Sequence, residues 1–188
     1  MEPSLLSGLI KSYVEKQKEI LEAVSRIEPT SFKSFHFNTS ESSKEKLQEW
    51  ESELRKDGIG EYTPVIYYFE VINAFDRSQI CKTIKELKKG PGKSDRALPL
   101  VNRVTESDCT GVLYVGKTQT NFIRRFKQHL GFGIKSTYAL HLSHWATGLD
   151  LKLHYASYNF TTENLYQLEY IEDILHASLK PILGRKGR

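Results

Sequence analysis

The chain is expected to fold as α+β, a small three-stranded mixed or antiparallel sheet flanked by helices, with a helical extension in front. Three observations predict this. Residues 65–72 and 111–116 are short apolar runs rich in β-formers, and residues 151–158 alternate apolar and polar side chains. Elsewhere apolar residues recur at helical spacing, and Gly, Pro, Ser or Asp close most of those stretches. The two central runs are separated by a long polar segment and are expected to pair antiparallel across it.

Taken in order, residues 5–27 place Leu6, Leu9, Ile10, Tyr13, Val14, Ile20, Leu21, Val24 and Ile27 on a helical repeat that ends at Pro29. The aromatic stretch Phe32, Phe35 and Phe37 reads as extended. Ser42 and Glu45 form a capping box for a helix carrying Leu47, Trp50 and Leu54, with Asp57-Gly58 as its stop. Residues 77–89 read as a basic helix and 90–110 as a loop. After residues 111–116, Thr120 is the expected cap of a helix over 121–130 that stops at Gly131. A helix over about 137–147, the strand at 151–158 and a last helix over about 162–178 complete the order. Residues 1–60 thus form the extension, and 61–188 the main domain with a basic insertion at 73–110.

Composition bounds the function. A chain of 188 residues, 39% hydrophobic and 27% charged, suffices for one core plus an elaboration. No apolar run approaches the ~20 residues of a membrane span, and no signal-peptide pattern opens the chain. Membrane association is not expected. Cys81 and Cys109 lack zinc-type spacing and suit a reducing compartment, so the cytoplasm is the expected location. Residues 1–60 carry 9 basic and 11 acidic side chains, net −2, whereas 61–188 carry 18 and 12, net +6. Lys82, Lys85, Lys88, Lys89, Lys93 and Arg96 flank a Gly90-Pro91-Gly92 turn, and Lys180, Arg185, Lys186 and Arg188 lie in the tail. Such a half suits a polyanion, although solvated lysines alone give the same pattern.

The residues richest in chemistry follow Tyr114-Val115-Gly116-Lys117-Thr118. On the next helix Phe122, Ile123, Phe126 and Leu130 form the buried stripe. Arg125 and His129, four apart, lie one above the other at its edge, while Arg124 projects to solvent. On the last helix Leu165, Leu168, Ile171, Leu175 and Leu179 define an apolar arc that contains Glu172. Glu169 flanks it, and Asp173 turns toward solvent. A carboxylate in that arc is costly unless it pairs, for example with Arg125, or binds a metal. His141 and His144, three apart on an expected helix, lack a third ligand and read as surface or substrate-contacting residues. Gly116-Lys117-Thr118 lacks the earlier glycines of a phosphate loop, so nucleotide hydrolysis is rejected.

In this order the elements resemble the GIY-YIG nuclease family, over roughly residues 64–184. Val65-Ile66-Tyr67 stands for the first motif, with valine where the family has glycine, and Tyr114-Val115-Gly116 for the second. Arg125 and His129 match the helix pair and Glu172 the later glutamate. Pro181 follows, and Gly184 stands where the family has asparagine. The resemblance implies a metal-dependent DNA endonuclease of restriction, repair or recombination type. Glu172 would hold one Mg²⁺ or Mn²⁺ that keeps several waters, with Glu169 the second-choice ligand. Arg125 would contact a nonbridging phosphate oxygen. Tyr67 would be the general base and Tyr114 would orient the water or phosphate. A tyrosine needs nearby positive charge for such a role, from Lys117, Arg125 or the metal. His129 would carry the proton onward or hold the phosphate, while Tyr68 on the opposite strand face packs.

Lys88, Lys89, Lys93, Arg96, Lys180, Arg185 and Lys186 are the expected nucleic-acid contacts. DNA is the expected partner, and the chemistry accommodates RNA. Two further readings stand beside this one. Val65 and Gly184 suit a nucleic-acid-binding or regulatory protein with weakened catalysis. The N-terminal helices suit a protein-interaction module, and structural support or dimerisation is the role left to residues 1–60.

Overall fold

The computed structural model describes residues 3–56, 59–103 and 110–185. The expected Asp57-Gly58 stop, Cys109, Lys186 and Arg188 lie outside them. The architecture is α+β, and its sheet has four strands rather than three, all antiparallel, in the order β1-β4-β2-β3. The strands are β1 (Ser31–Asn38), β2 (Val65–Val71), β3 (Val112–Thr118) and β4 (Lys152–Asn159). The added strand is the aromatic stretch, which pairs with β4 from Ser31↔Asn159 to Asn38↔Lys152. Its apolar residues are divided between faces. Phe35 packs against the core and Phe37 lies in it, whereas Phe32 sits on the opposite face against Tyr158.

Among the described residues five α-helices surround the sheet: α1 (Pro3–Ser25), α2 (Lys44–Lys56), α3 (Arg77–Lys89), α4 (Phe122–Leu130) and α5 (Gln167–Leu179). One sheet face carries Tyr67, Phe69, Leu153 and Tyr155 into a large core with Trp50, Leu54, Ile84, Phe122 and Phe126. On the other face Ile66 joins Phe160 and Leu168 under α5, with Ile27, just past the end of α1, packed against them. Period-two alternation in β2 thus sends Tyr67 and Tyr68 to opposite faces. Tyr68 meets His154 edge to face on the α5 side.

Three local expectations shift. Ser43, not Ser42, caps α2, its Oγ accepting the N–H of Lys46 at 3.2 Å. Asn121, not Thr120, caps α4, with its backbone left-handed and its side chain accepting from the N–H of Arg124. No α-helix forms over 137–147. His141 adopts φ 51°, which interrupts any helix there, and two short 3-10 turns follow at Leu142–His144 and Thr147–Leu149. Burial of Ala139, Leu140, Leu142, Trp145 and Ala146 accounts for the apolar pattern instead.

After α5 the chain returns along the outer edge of β3. The N–H groups of Ile182 and Leu183 donate to the carbonyls of Val112 and Leu113, each at 2.9 Å. The N–H of Gly184 donates to Leu100 O at 2.9 Å, which brings the basic loop to the same edge. Among the described residues no helix is long and apolar enough to cross a membrane.

Candidate active site

Tyr67, Tyr114, Arg125 and His129 converge at one end of the β2–β3 pair. Tyr67 lies opposite Gly116 in the ladder, and Phe69 opposite Tyr114, so both tyrosines stand on the same face. Gly116 makes room for them. A Cβ there would lie 2.6 Å from Tyr114 Cε1 and 2.8 Å from Tyr67 Oη. The two rings are stacked at 6.2 Å. From α4, Arg125 reaches across both: its Nε donates to Tyr67 Oη at 3.3 Å and one terminal nitrogen to Tyr114 Oη at 3.4 Å. The guanidinium is held in place by Gln128 Oε1 at 3.2 Å and the Tyr138 carbonyl at 2.8 Å. Arg124, as expected from periodicity, is exposed.

His129 is buried, and its tautomer follows from its neighbours. Nδ1 accepts the main-chain N–H of Leu140 at 3.2 Å, so in the neutral ring the proton is on Nε2. Nε2–H therefore donates to Tyr67 Oη, 2.8 Å away. Burial, together with Arg125 and His141, holds the His129 pKa well below its usual value. Both nitrogens are committed, so the ring orients Tyr67 and has no free lone pair for a proton. Tyr67 Oη in turn accepts two hydrogen bonds, which leaves its own O–H to be directed elsewhere. Burial pushes the Tyr67 pKa strongly up, reinforced by Tyr114 and opposed by Arg125. In this state Tyr67 is a neutral phenol. Burial works against the Arg125 charge, but the two tyrosines more than offset it and the guanidinium stays protonated.

Glu172 is a buried carboxylate on α5, as its place in the apolar arc predicts. Its partner is not Arg125 but Lys117, whose Nζ lies 3.8 Å from Glu172 and 2.8 Å from Glu169. Burial raises the Glu172 pKa, with Asp173 and Glu169 adding to the effect and Lys117 opposing it. The negative charge of Glu172 is also felt at Tyr67. Among the described residues no group of three or more His, Cys, Asp or Glu could hold an ion. One divalent ion keeping most of its waters needs only one or two carboxylates plus substrate oxygens. Glu172 and Glu169, one turn apart, fit that demand, and a cation there would relieve the cost of the buried charge.

Beside this constellation lies a cleft of about 380 Å³ in which Tyr114 and Arg125 meet Lys88 and Arg185. Cations from the end of α3 and from the tail thus reach the same place as Tyr114 and Arg125. Lys88 donates to Pro99 O at 3.1 Å. Lys89 and Lys93 are exposed, as is Lys180, a left-handed helix cap at φ 44°. Arg96 is spent on structure, contacting Gly133 O at 3.4 Å and His141 Nδ1 at 3.3 Å. His141 is therefore a buried clamp rather than a surface histidine, and exposed His144 contacts Gly131 O. Sequence reasoning missed three contributors: Gln128, the Leu140 N–H and Tyr138. A glutamine one turn after Arg125 is the signal the sequence carries, and its burial is seen only in the fold. Comparison of the chain with protein-family models, with curated proteins and with solved structures gives no match in any of the three.

Proposed function

We propose that this protein is a cytoplasmic, metal-dependent endonuclease of GIY-YIG type that hydrolyses phosphodiester bonds in DNA. The observation that carries the reading is Arg125, one guanidinium bonded to two tyrosine hydroxyls while lining a cleft with two further cations. Phosphodiester hydrolysis needs neutralised phosphoryl oxygens, a placed water and a destination for its proton. Arg125 supplies fixed positive charge and a fork for nonbridging oxygens. Tyr114, on the cleft, positions water or phosphate. Tyr67, one layer behind, rests as a phenol; once it has lost its proton to solvent beside Arg125 and a bound cation, its oxygen, held by two N–H donors, is the destination for the proton of the attacking water. His129 keeps that oxygen in place, and Lys117 keeps Glu172 ionised until it is used. A Mg²⁺ or Mn²⁺ ion held by Glu172, with Glu169 as second ligand, would act as Lewis acid toward the phosphate and leaving oxygen.

Two features favour a weakened enzyme that chiefly binds nucleic acid. Tyr67 rests as a fully buried neutral phenol, and glycine occupies position 184. Supercoiled plasmid incubated with Mg²⁺ or Mn²⁺, beside an EDTA control, separates the two. Nicked or linear product only with metal supports the nuclease, whereas retention without cleavage supports the binder.

A homodimer through α1 belongs to the same proposal. Gln17, Ile20 and Val24 are its half-buried positions, half-buried Ile27 follows just past its end, and α1 packs on α5. The same alternating steps of four and three continue back through Tyr13, Ile10 and Leu6, all exposed. That is a coiled-coil seam with half its length uncovered.

A further inference from the structure

We infer that the cleft beside Arg125 receives one unpaired nucleotide, its phosphate on Lys88, Arg125 and Arg185 and its base against the ring of Tyr138. Resting on the nuclease reading, this narrows the substrate to nucleic acid that is single-stranded where it meets the site.

Four observations carry it. Among the described residues, those lining the cleft include three cations and no acidic side chain. Lys88 is crowded in this group: burial, Arg185 and Lys89 all disfavour its charge. Cations gathered without a counter-charge await an anion. Next, the same cleft is lined by Tyr138 and Leu100, which are 69% and 38% exposed, large apolar groups left open beside the charges. Charge plus an aromatic face is the combination that binds a single strand, the phosphate by ion pairing and the base by stacking.

Third, the two halves are tied together. The guanidinium that lines the phosphate side donates to the Tyr138 carbonyl at 2.8 Å, so the backbone that carries the ring is anchored to the cation. Finally, the size suits the occupant. About 380 Å³ accommodates one nucleotide of roughly twenty heavy atoms. Inside a duplex each base has both faces covered by stacking, so Tyr138 can reach a base only where pairing is absent or has been opened.

The test measures binding in EDTA, where no cleavage occurs. A labelled single-stranded 12-nucleotide DNA, the same sequence as a duplex, and a free mononucleotide are titrated against wild type, Tyr138→Ala and Tyr138→Phe. The expected result is that Tyr138→Ala weakens single-strand binding about five- to hundredfold. Tyr138→Phe retains it, and duplex affinity changes less than about twofold. Binding of the mononucleotide as tight as that of the strand would reassign the cleft to a free nucleotide. Equal losses for strand and duplex, or none for either, would overturn the inference. Cleavage is a separate readout. Metal-dependent cutting with no Tyr138 effect removes this inference alone, while a Tyr138-dependent preference without any cutting removes the nuclease reading alone.

Discussion

The hydroxyl of Tyr67 lies 2.8 Å from Nε2 of His129, a ring whose other nitrogen already accepts the N–H of Leu140. That pairing makes the histidine a donor and the tyrosine an acceptor. It also predicts how the protein responds to acid. The His129 pKa is depressed in the folded state, so the native protein refuses a proton that the unfolded chain accepts below about 6.5. Stability from this residue is complete above that pH and is lost as pH falls below it. His141 is shifted in the same direction and adds to the effect. The melting temperature should therefore decline from pH 6.5 toward 5, and the His129 imidazole resonances should not titrate between pH 8 and 6. A midpoint near 6.5 for His129 would contradict this arrangement.

Glu172 has the opposite sign. Its pKa is raised in the folded state, so the ionised carboxylate costs stability at neutral pH; the cost vanishes below the ordinary value of about 4.5 and appears as pH rises through the raised one. Glu172→Gln should raise the melting temperature at pH 7 by a few degrees, and the gap should close near pH 4. Cleavage should fall by at least about 10²-fold. A variant destabilised at pH 7 would make the Lys117 ion pair structural.

Gly116→Ala tests the stacked tyrosines. Its methyl would intrude on Tyr114 and Tyr67 at 2.6 and 2.8 Å. Displacing both rings should cost about 1–3 kcal/mol of stability and roughly 10²-fold in rate, read by denaturant unfolding and single-turnover cleavage. Gly184→Asn, which restores the residue of the resembled family, should not activate the enzyme. Gly184 sits at φ 107°, and a Cβ there would lie 3.0 Å from Tyr114 Cε2. A loss of about 1–3 kcal/mol is expected instead, and a gain in turnover would show that glycine is what limits catalysis.

Ile10→Asp places a charge in the uncovered part of the α1 seam. Sedimentation should convert a dimer into a monomer, with the melting profile of the body little changed because Ile10 is exposed. A wild type that stays monomeric at high micromolar concentration would remove the dimer.

Much of this was legible because the decisive residues sit on regular elements. Alternation in β2 separates Tyr67 from Tyr68, and helical spacing separates Arg125 from Arg124 and places Glu172 in an apolar arc. What escaped depends on tertiary pairing. Phe32 and Phe35 point to opposite faces of β1, which hides the strand from a period-two pattern. The buried run around Leu140 looks helical until His141 turns left-handed. Lys117 as partner of Glu172 follows from the register of β3 under α5, and Arg96 turns inward on contacts made 37 and 45 residues away.

The most direct measurement compares Tyr67→Phe with Tyr68→Phe in metal-dependent DNA cleavage. Each change deletes one hydroxyl from adjacent residues on opposite faces of one strand. Tyr67→Phe should lose about 10²–10⁴-fold in turnover. It should also lose about 1–3 kcal/mol of stability, since Arg125 and His129 are left with unmet donors. Tyr68→Phe should cleave at close to the wild-type rate. Normal cleavage by Tyr67→Phe, equal losses in both variants, or a wild type that cuts no DNA or RNA with Mg²⁺ or Mn²⁺ would contradict a nuclease centre built on Tyr67 and Arg125.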